Sequence, residues 1–347
     1  MTHILTMRLK KILVVRTDRL GDVILSTPVA TALKKKLAHI HITFLARRYT
    51  AEITRCHPHI DETLEIDGAE IAGQSANLMT SLRQRKFDAA VVLYPRPQLA
   101  WAIWKSGIPQ RIGTGYRWYS FLFNRRLFEH RKTAARHEAE YNLNLLQPLG
   151  INDARVEFHF TLPPNQKAQI DAKLNALGVG PHPVILHAGS GGSAREWPPE
   201  NFAGLADLVH QALGLQILLT GAPEEEELVE FIRRQSATKP LSLCGRLTIT
   251  ELAALLRRAA VFVGNSSGPL HLAVMVGAPV VAFYPPIQAC RPERWGPYGR
   301  LADVLMSQTE ECWRCRRTQA RVCDCMRNIS VNSAFKKIQE KLEGKPG

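Results

Sequence analysis

Val261 to Ala273 reads VFVGNSSGPLHLA, an apolar run followed by a loop of small residues and then by the start of a helix. The loop from Gly264 to Gly268 supplies residues that cap helices and let a ligand approach the main chain, and Pro269 suits a first helical turn. A helix that begins this way presents unpaired N–H groups and the positive end of its dipole, which favour an anion. The stretch therefore predicts a strand, a phosphate site and a helix. An ordinary turn whose serines only cap the helix is the alternative.

Similar apolar runs alternate with helical patterns along the whole chain, which predicts doubly wound parallel sheets of the α/β class. Pro163-Pro164 interrupts the alternation, and we expect two Rossmann-like domains, 1–162 and 163–329. The carboxyl ends of both sets of strands would then meet at a central cleft. The predicted strands are 11–16, 40–45, 63–66, 89–93, 184–187, 216–220, 241–244, 261–263 and 279–283.

The chain is strongly basic. Its 347 residues carry 45 Lys and Arg against 31 Asp and Glu, a net charge of +14. Such a charge favours polyanionic partners, among them an anionic membrane face, a phosphorylated glycolipid or a nucleotide. We expect no nucleic acid, because the basic clusters are not interleaved with a recognised nucleic-acid motif.

No apolar run approaches the roughly 20 residues of a membrane span, and the basic residues before Ile12 precede only four apolar residues. The seven cysteines fit a reducing compartment. We therefore expect a cytoplasmic protein that touches a membrane through basic patches.

Three further loops carry residues that could do chemistry. Asp22 begins a helical pattern and is either a helix cap or a general base. Ser190, Gly191 and Arg195 could bind a diphosphate and offset charge on a leaving group. Glu225, or Glu224 beside it, could hydrogen-bond a ribose hydroxyl. The chain has no G-x-G-x-x-G, Walker A or D-x-D pattern, so a reaction that requires no metal is the simpler expectation.

The region 111–149 differs from the rest, because RIGTGYRWYSFLFNRR is aromatic and basic and the helical pattern HEAEYNLNLLQPLG follows it. Aromatic faces beside arginines suit sugars and phosphates. A partly buried pair of helices with solvated arginines is the alternative.

Four cysteines crowd near the carboxyl terminus: Cys312, Cys315, Cys323 and Cys325. Four thiolates could close a structural zinc site, although a C-x-C second pair is unusual for zinc. A regulatory disulfide and reduced structural cysteines are the alternatives.

Six motifs, in order along almost the whole chain, resemble those of glycosyltransferase family 9, the lipopolysaccharide heptosyltransferases. They are KILVVRTDRLGDVILSTPVATALK, RIGTGYRW with HEAEYNLNLL, HAGSGGSAREWPPENF, LLTGAPEEEE, GNSSGPLHLA and RPERWGPYG. The resemblance implies a GT-B fold in which the first domain binds the acceptor and the second binds the nucleotide sugar. It also implies a helix at 330–347 that packs back on the first domain.

The family transfers heptose from ADP-heptose to a sugar hydroxyl of the inner core, with inversion at the anomeric carbon. By resemblance, the catalytic base falls on Asp22, the phosphate-binding cation on Arg195 and the ribose-binding carboxylate on Glu225. The diphosphate loop and its following helix fall on Ser266, Ser267, Gly268 and His271. Many members carry an aspartate where this chain has Ser266, so a carboxylate is missing beside the donor.

For the acceptor phosphates we expect three basic side chains, Arg117, Arg125 and Arg131. The implied partners are an ADP-sugar donor, an anionic glycolipid acceptor and the cytoplasmic face of the inner membrane. Rival readings are a transferase with another donor or acceptor, a nucleotide-sugar epimerase of the same shape, and a non-catalytic nucleotide- or glycan-binding protein. The GDVILSTP and REWP motifs give the epimerase no support.

Overall fold

A computed structural model describes residues 9–68, 76–162, 164–307 and 323–343. The chain divides into two compact units between Thr161 and Leu162. This division lies one residue before the expected boundary. Each unit has a hydrophobic core of its own.

The first unit is built on a parallel sheet. Its strands are β1 (Lys11–Val15), β2 (His41–Arg47), β3 (Glu62–Ile66), β4 (Ala89–Val92), β5 (Gln110–Thr114) and β6 (Arg125–Leu127). Within the described residues the sheet has six strands in the order β3-β2-β1-β4-β5-β6. Val14 at the centre pairs with Phe44 on one side and Val91 on the other. The central strands are buried along almost their whole length, which explains their continuous apolar sequence.

Helices cover this sheet: α1 (Leu20–Ile24), α2 (Pro28–Lys36), α3 (Ala51–Arg55), α4 (Ala76–Arg85), α5 (Pro97–Lys105) and α6 (Glu138–Asn144). The helical pattern after β1 is broken at Pro28, which begins α2, because proline lacks the N–H that would continue α1. β5 and β6 lie inside the aromatic and basic region, so a pair of helices there is wrong. Both strands are short and rich in polar residues, and apolar periodicity alone did not reveal them.

The second unit repeats this architecture. Its strands are β7 (Val184–His187), β8 (Ile217–Thr220), β9 (Leu241–Ser242), β10 (Val261–Asn265), β11 (Val280–Tyr284) and β12 (Val304–Met306). In the described part of this unit the six parallel strands follow the order β12-β11-β10-β7-β8-β9. Both orders read 3-2-1-4-5-6 when each unit's strands are numbered from one, the order of a Rossmann fold.

The helices of the second unit complete its core. They are α7 (Pro164–Ala176), α8 (Pro199–Leu213), α9 (Glu226–Gln235), α10 (Ile249–Arg258), α11 (Gly268–Met275), α12 (Pro292–Trp295), α13 (Asp324–Arg327) and α14 (Val331–Glu343). Two doubly wound α/β units confirm the predicted fold class. No helix in the described ranges is long and apolar enough to cross a membrane.

The carboxyl-terminal helix α14 corrects one expectation. We expected it on the first domain, but Ala334 and Ile338 are fully buried in the core of the second unit. Trp197 just before α8 donates its indole N–H to the Ile329 carbonyl at 2.8 Å, which anchors the chain that leads into α14. The apolar stripe of this amphipathic helix covers the surface offered by α8.

Candidate active site

The carboxyl end of β1 carries a buried arginine among carboxylates. Arg16 is 2% exposed, and its Nη2 lies 2.5 Å from Asp22 Oδ1. Its Nε lies 2.9 Å from Asp18 Oδ2, and its Nη1 lies 3.4 Å from Glu138 Oε1. The Arg16 guanidinium thus contacts three carboxylates: Asp18 just after β1, Asp22 in α1 and Glu138 in the distant helix α6.

The neighbouring carboxylates keep the Arg16 guanidinium ionised in spite of its burial. Burial would lower the pKa of Arg16, but Asp22, Glu138 and Asp18 outweigh burial and raise it. Burial raises the pKa of Asp18, against the nearby charge of Arg16. Arg16 is therefore permanently charged and fixes the carboxylates around it.

Asp22 does not cap its helix. It lies in the first turn of α1, whose N-cap residue is Arg19, and that helix has no side-chain cap. Its side chain is 20% exposed while its Oδ1 is held by Arg16. This arrangement leaves a fixed carboxylate that is open to solvent, as a general base requires.

Glu138 links this cluster to α6. Arg131 donates through Nη1 to Glu138 Oε1 at 2.5 Å and to Asn142 Oδ1 at 3.2 Å. Asn142 in turn donates to the Leu25 carbonyl at 3.1 Å. Arg131 is therefore tied into the fold, which argues against our expectation that it binds an acceptor phosphate.

Sequence reasoning missed Arg16, Asp18 and Glu138 as members of the site. The signal was a polar RTD directly after a buried strand and a HEAE segment inside a recognised motif. Only the fold reveals that residues more than a hundred positions apart meet at one guanidinium.

The two other expected acceptor residues, Arg117 and Arg125, lie in the neighbourhood of β5 and β6. Arg117 follows the end of β5, and its charge lowers the pKa of Tyr119 against the dominant effect of burial. Tyr119 donates to the Pro95 carbonyl at 2.7 Å, beside Arg96, whose Nη2 lies 3.5 Å from Asp18 Oδ1. Arg117 and Arg96 thus lie on the same edge of the sheet as Asp22. Arg125 lies on edge strand β6, three positions from β1.

In the second unit, the predicted loops follow three neighbouring strands, β10, β7 and β8. Asn265 at the end of β10 is fully buried and joins two of these loops. It donates to the Ala188 carbonyl at 2.6 Å and accepts the Trp197 N–H at 2.8 Å. Asn265, at the end of β10, thereby fixes the loop that follows β7.

The loop after β7 is held by two buried glutamates. Ser190 donates its N–H and its hydroxyl to Glu196 Oε1, at 3.0 and 2.8 Å. Glu225 accepts the N–H groups of Gly191 at 3.1 Å and Ala222 at 3.0 Å. A side chain at Gly189 would collide with the Glu225 carboxylate, so this glycine is required by close approach.

Glu225 also lies near a buried histidine. His187 Nε2 is 3.8 Å from Glu225 Oε2, and burial lowers the pKa of His187 in spite of that carboxylate. The histidine is therefore neutral near pH 7. Glu225 is 8% exposed and both of its oxygens are engaged by backbone N–H groups, so it shapes the loops as well as offering lone pairs to a ligand.

The predicted anion site lies at the amino end of α11. Ser267 is its N-cap residue, but its side chain makes no capping bond, and its buried Oγ has no hydrogen-bond partner in the described structure. Ser267 therefore does not cap the helix through its side chain, and the first N–H groups of α11 have no side-chain cap. Ser266 donates to the hydroxyl of Tyr284, which itself donates to the Trp295 carbonyl at 2.6 Å.

The remaining predicted donor residues border this loop. His271 is buried on α11, one turn after Ser267. Arg195 is half-buried, and its charge acts on the thiol of Cys290, whose pKa is raised by burial. Gly268 is the first residue of α11.

The carboxyl-terminal cysteines are described only in part. Cys312 and Cys315 lie outside the described residues. Cys323 and Cys325 are buried in the core of the second unit. A zinc site at these four positions stays a prediction.

Comparison with known proteins identifies the class of this architecture. The family model described as glycosyltransferase family 9 (heptosyltransferase) matches residues 75–325. The lipopolysaccharide heptosyltransferase 3 of Escherichia coli is 28% identical over 273 residues, which cover 76% of this chain and 80% of that protein.

Solved structures share the complete fold. The glycosyl transferase family 9 protein from Veillonella parvula superposes with a TM-score of 0.82 at 25% identity, covering 97% of this chain and 98% of its own. The ADP-heptose lipopolysaccharide heptosyltransferase II of E. coli superposes with a TM-score of 0.79 at 21% identity, covering 96% and 98%.

Proposed function

This chain belongs to glycosyltransferase family 9, and we propose that it moves heptose from ADP-heptose to a sugar hydroxyl of the lipopolysaccharide inner core with inversion at the anomeric carbon. The observation that carries the proposal is the Asp22 carboxylate, which is fixed at 2.5 Å by buried Arg16 and still partly exposed. A merely binding protein has no need of a carboxylate held in this way.

In the proposed reaction, Asp22 takes the proton of the acceptor hydroxyl while the hydroxyl oxygen attacks the anomeric carbon. The bond between that carbon and the diphosphate oxygen breaks, and ADP leaves with the electron pair. Arg195 and the N–H groups at the start of α11 offset the charge that develops on the departing diphosphate. One bond forms and one breaks, so no covalent intermediate is needed.

The donor is proposed from the loops of the second unit. Ser267 offers a buried, unpartnered hydroxyl at the amino end of α11, which suits a diphosphate oxygen. Glu225 has lone pairs left for a ribose hydroxyl. The E. coli heptosyltransferase II is named as an ADP-heptose enzyme, and ADP-heptose is the donor we propose here.

Ser266 bears on this choice. Its hydroxyl is hydrogen-bonded to the hydroxyl of Tyr284. Two neutral hydroxyl groups therefore occupy the place where many family members carry a carboxylate. The exchange removes a negative charge next to a diphosphate, which favours any nucleoside diphosphate and does not select one. Calorimetry with ADP, UDP, GDP and CMP tests the choice, and a preference for UDP or GDP would assign another sugar donor.

For the acceptor we propose Arg117, with Arg96 beside it, as ligands of phosphate on an anionic glycolipid. Arg96 follows β4, which neighbours β1, and Arg117 follows β5, the next strand of the sheet. Arg96 also contacts Asp18. Because such an acceptor is anchored in a bilayer, we place the enzyme at the cytoplasmic face of the inner membrane. Neutralising Arg117 should raise the KM for the acceptor and leave donor affinity unchanged.

The deciding experiment compares Asp22→Asn with Asp18→Asn. Both variants remove one carboxylate from the same guanidinium, but only Asp22 is proposed to receive the proton. We expect Asp22→Asn to lower kcat by about 10²- to 10⁴-fold with calorimetric ADP binding unchanged, and Asp18→Asn to lower it only severalfold. Transfer by Asp22→Asn at the wild-type rate would remove Asp22 as the base.

A further inference from the structure

One segment of the first unit exposes an unusual amount of aromatic surface. Trp118 is 79% exposed, Phe121 65% and Phe128 62%. Among the described residues these are the three most exposed large apolar side chains, and all lie between positions 118 and 128. Exposed rings concentrated in this way mark a contact surface and not ordinary surface scatter. We call residues 116–128 the aromatic segment.

The exposed rings are held in place by buried neighbours. Tyr119 is buried and donates to the Pro95 carbonyl at 2.7 Å, and the Trp118 ring packs edge-on against it with centroids 5.3 Å apart. Leu122 and Phe123 belong to the core of the unit. The segment therefore alternates between anchors that face inward and rings that face solvent.

A second contact fixes the far end of the segment. The Tyr116 ring lies 5.5 Å from the Phe128 ring, which rests on the backbone of Gly115. A side chain at Gly115 would collide with Phe128, so the glycine is needed for this approach. Phe128 is consequently presented in a fixed position at the end of β6.

Positive charge accompanies these rings. Arg117, Arg125 and Arg126 are all exposed. Tryptophan suits the level of lipid headgroups, because its ring has an apolar body and a polar N–H. Phenylalanine buries its ring at the boundary between headgroups and acyl chains. Arginines beside them suit headgroup phosphates, and basic residues near an anionic leaflet attract it. This combination is complementary to an anionic bilayer surface.

We propose that the aromatic segment docks on anionic phospholipid, with Trp118, Phe121 and Phe128 at the headgroup level and Arg125 and Arg126 on headgroup phosphates. The segment begins directly after the carboxyl end of β5, on the sheet edge that carries Asp22. Docking would hold that edge close to the bilayer. In this respect the inference rests on the proposed function, since a glycolipid acceptor would be presented there.

The test uses the full-length protein and sedimentation with vesicles of phosphatidylglycerol and phosphatidylcholine that contain no glycolipid. We expect the triple variant Trp118→Ala/Phe121→Ala/Phe128→Ala to bind vesicles at least tenfold more weakly than wild type. Arg125→Gln/Arg126→Gln should weaken binding by about fivefold for each arginine at low salt. Both variants should keep the wild-type melting temperature to within a few degrees, because the substituted side chains face solvent.

Trp101→Ala is the matched control. Trp101 is 48% exposed and lies on α5, outside the aromatic segment. It should leave vesicle binding unchanged. An equal loss in Trp101→Ala, or wild-type binding by the triple variant, would overturn the proposal.

Two further outcomes would replace it. If the triple variant keeps vesicle binding but raises the KM for a deacylated, water-soluble acceptor, the segment is an acceptor subsite. If light scattering shows that the variant loses a dimer and vesicles never bind, the segment is a contact between copies. The vesicle assay uses neither donor nor acceptor, so failure of the proposed function leaves its result readable.

Discussion

Replacing Arg16 with methionine should destabilise the first unit and disable the site. Methionine keeps much of the volume but removes the cation shared by three carboxylates, of which Glu138 is 2% exposed, Asp18 13% and Asp22 20%. Glu138 keeps its ion pair with Arg131, and Asp18 keeps its longer one with Arg96. Removing one partner of a buried ion pair costs about 3–5 kcal/mol. Because water reaches Asp18 and Asp22, we expect the lower end, about 3 kcal/mol.

The assays are urea unfolding and steady-state transfer. A loss of about 3 kcal/mol corresponds to a urea midpoint lower by about 1 M or more. Activity should fall by about 10²-fold in the folded enzyme, because a carboxylate misplaced by about 1 Å costs that much. Arg16→Met/Asp18→Asn should recover part of the stability, since it removes one carboxylate that has lost its nearer cation.

Arg85→Met is the matched control. Arg85 pairs with Glu62 at 3.0 Å, but the two side chains are 32% and 36% exposed. Its loss should cost less than about 1 kcal/mol. If Arg16→Met were as stable and active as Arg85→Met, the buried guanidinium would not organise the site.

Two further predictions concern other parts of the chain. Gly189→Ala should push Glu225 away from the loop after β7 and weaken ADP binding in calorimetry by about tenfold or more, with Gly178→Asn, outside the loops, as a neutral control. Burial, with His59 and His159, lowers the pKa of His57 to about 3. Between about pH 6.5 and pH 3, His57 is protonated in the unfolded chain but neutral in the folded chain. The free energy of unfolding therefore has its full value above about pH 6.5 and falls as the pH drops toward 3. His57→Gln should flatten that fall by up to about 1.4 kcal/mol per pH unit in urea titrations; an unchanged slope would contradict this cause.

Much of the second unit could be predicted from the sequence, because its site depends on local patterns. A strand, a loop of small residues and a helix with proline in the first turn indicated the amino end of α11 from residue types alone. Parallel strands end at one edge, so loops after β7, β8 and β10 had to converge. The unbonded Ser267 hydroxyl could not be foreseen, since serine usually caps.

The site of the first unit was less accessible to sequence reasoning. Asp22 stood out as a carboxylate after a strand, but its partner Arg16 closes a network with Glu138 that depends on tertiary contacts. Arg131 shows the same limit, because its partner on α6 is not visible from residue type. β5 and β6 were missed because short, polar strands at or next to the edge of a sheet lack a strong apolar period.

The placement of α14 failed for a different reason. Its amphipathic pattern predicted a helix with one apolar face, and that much is confirmed. The pattern carries no information on which core covers that face. Ala334 and Ile338 pack in the core of the second unit, next to α8. The anchor at Ile329 lies only a few residues before them in the sequence.

The most direct test of the account is mass spectrometry of a deacylated inner-core acceptor after incubation with ADP-heptose and the purified enzyme. We predict an acceptor heavier by one heptose residue, one ADP released for each transfer, and no ADP release when the acceptor is omitted. An unchanged acceptor with ADP-heptose, together with transfer from a UDP- or GDP-sugar, would contradict the assignment of the donor. ADP release without any acceptor would contradict sugar transfer itself.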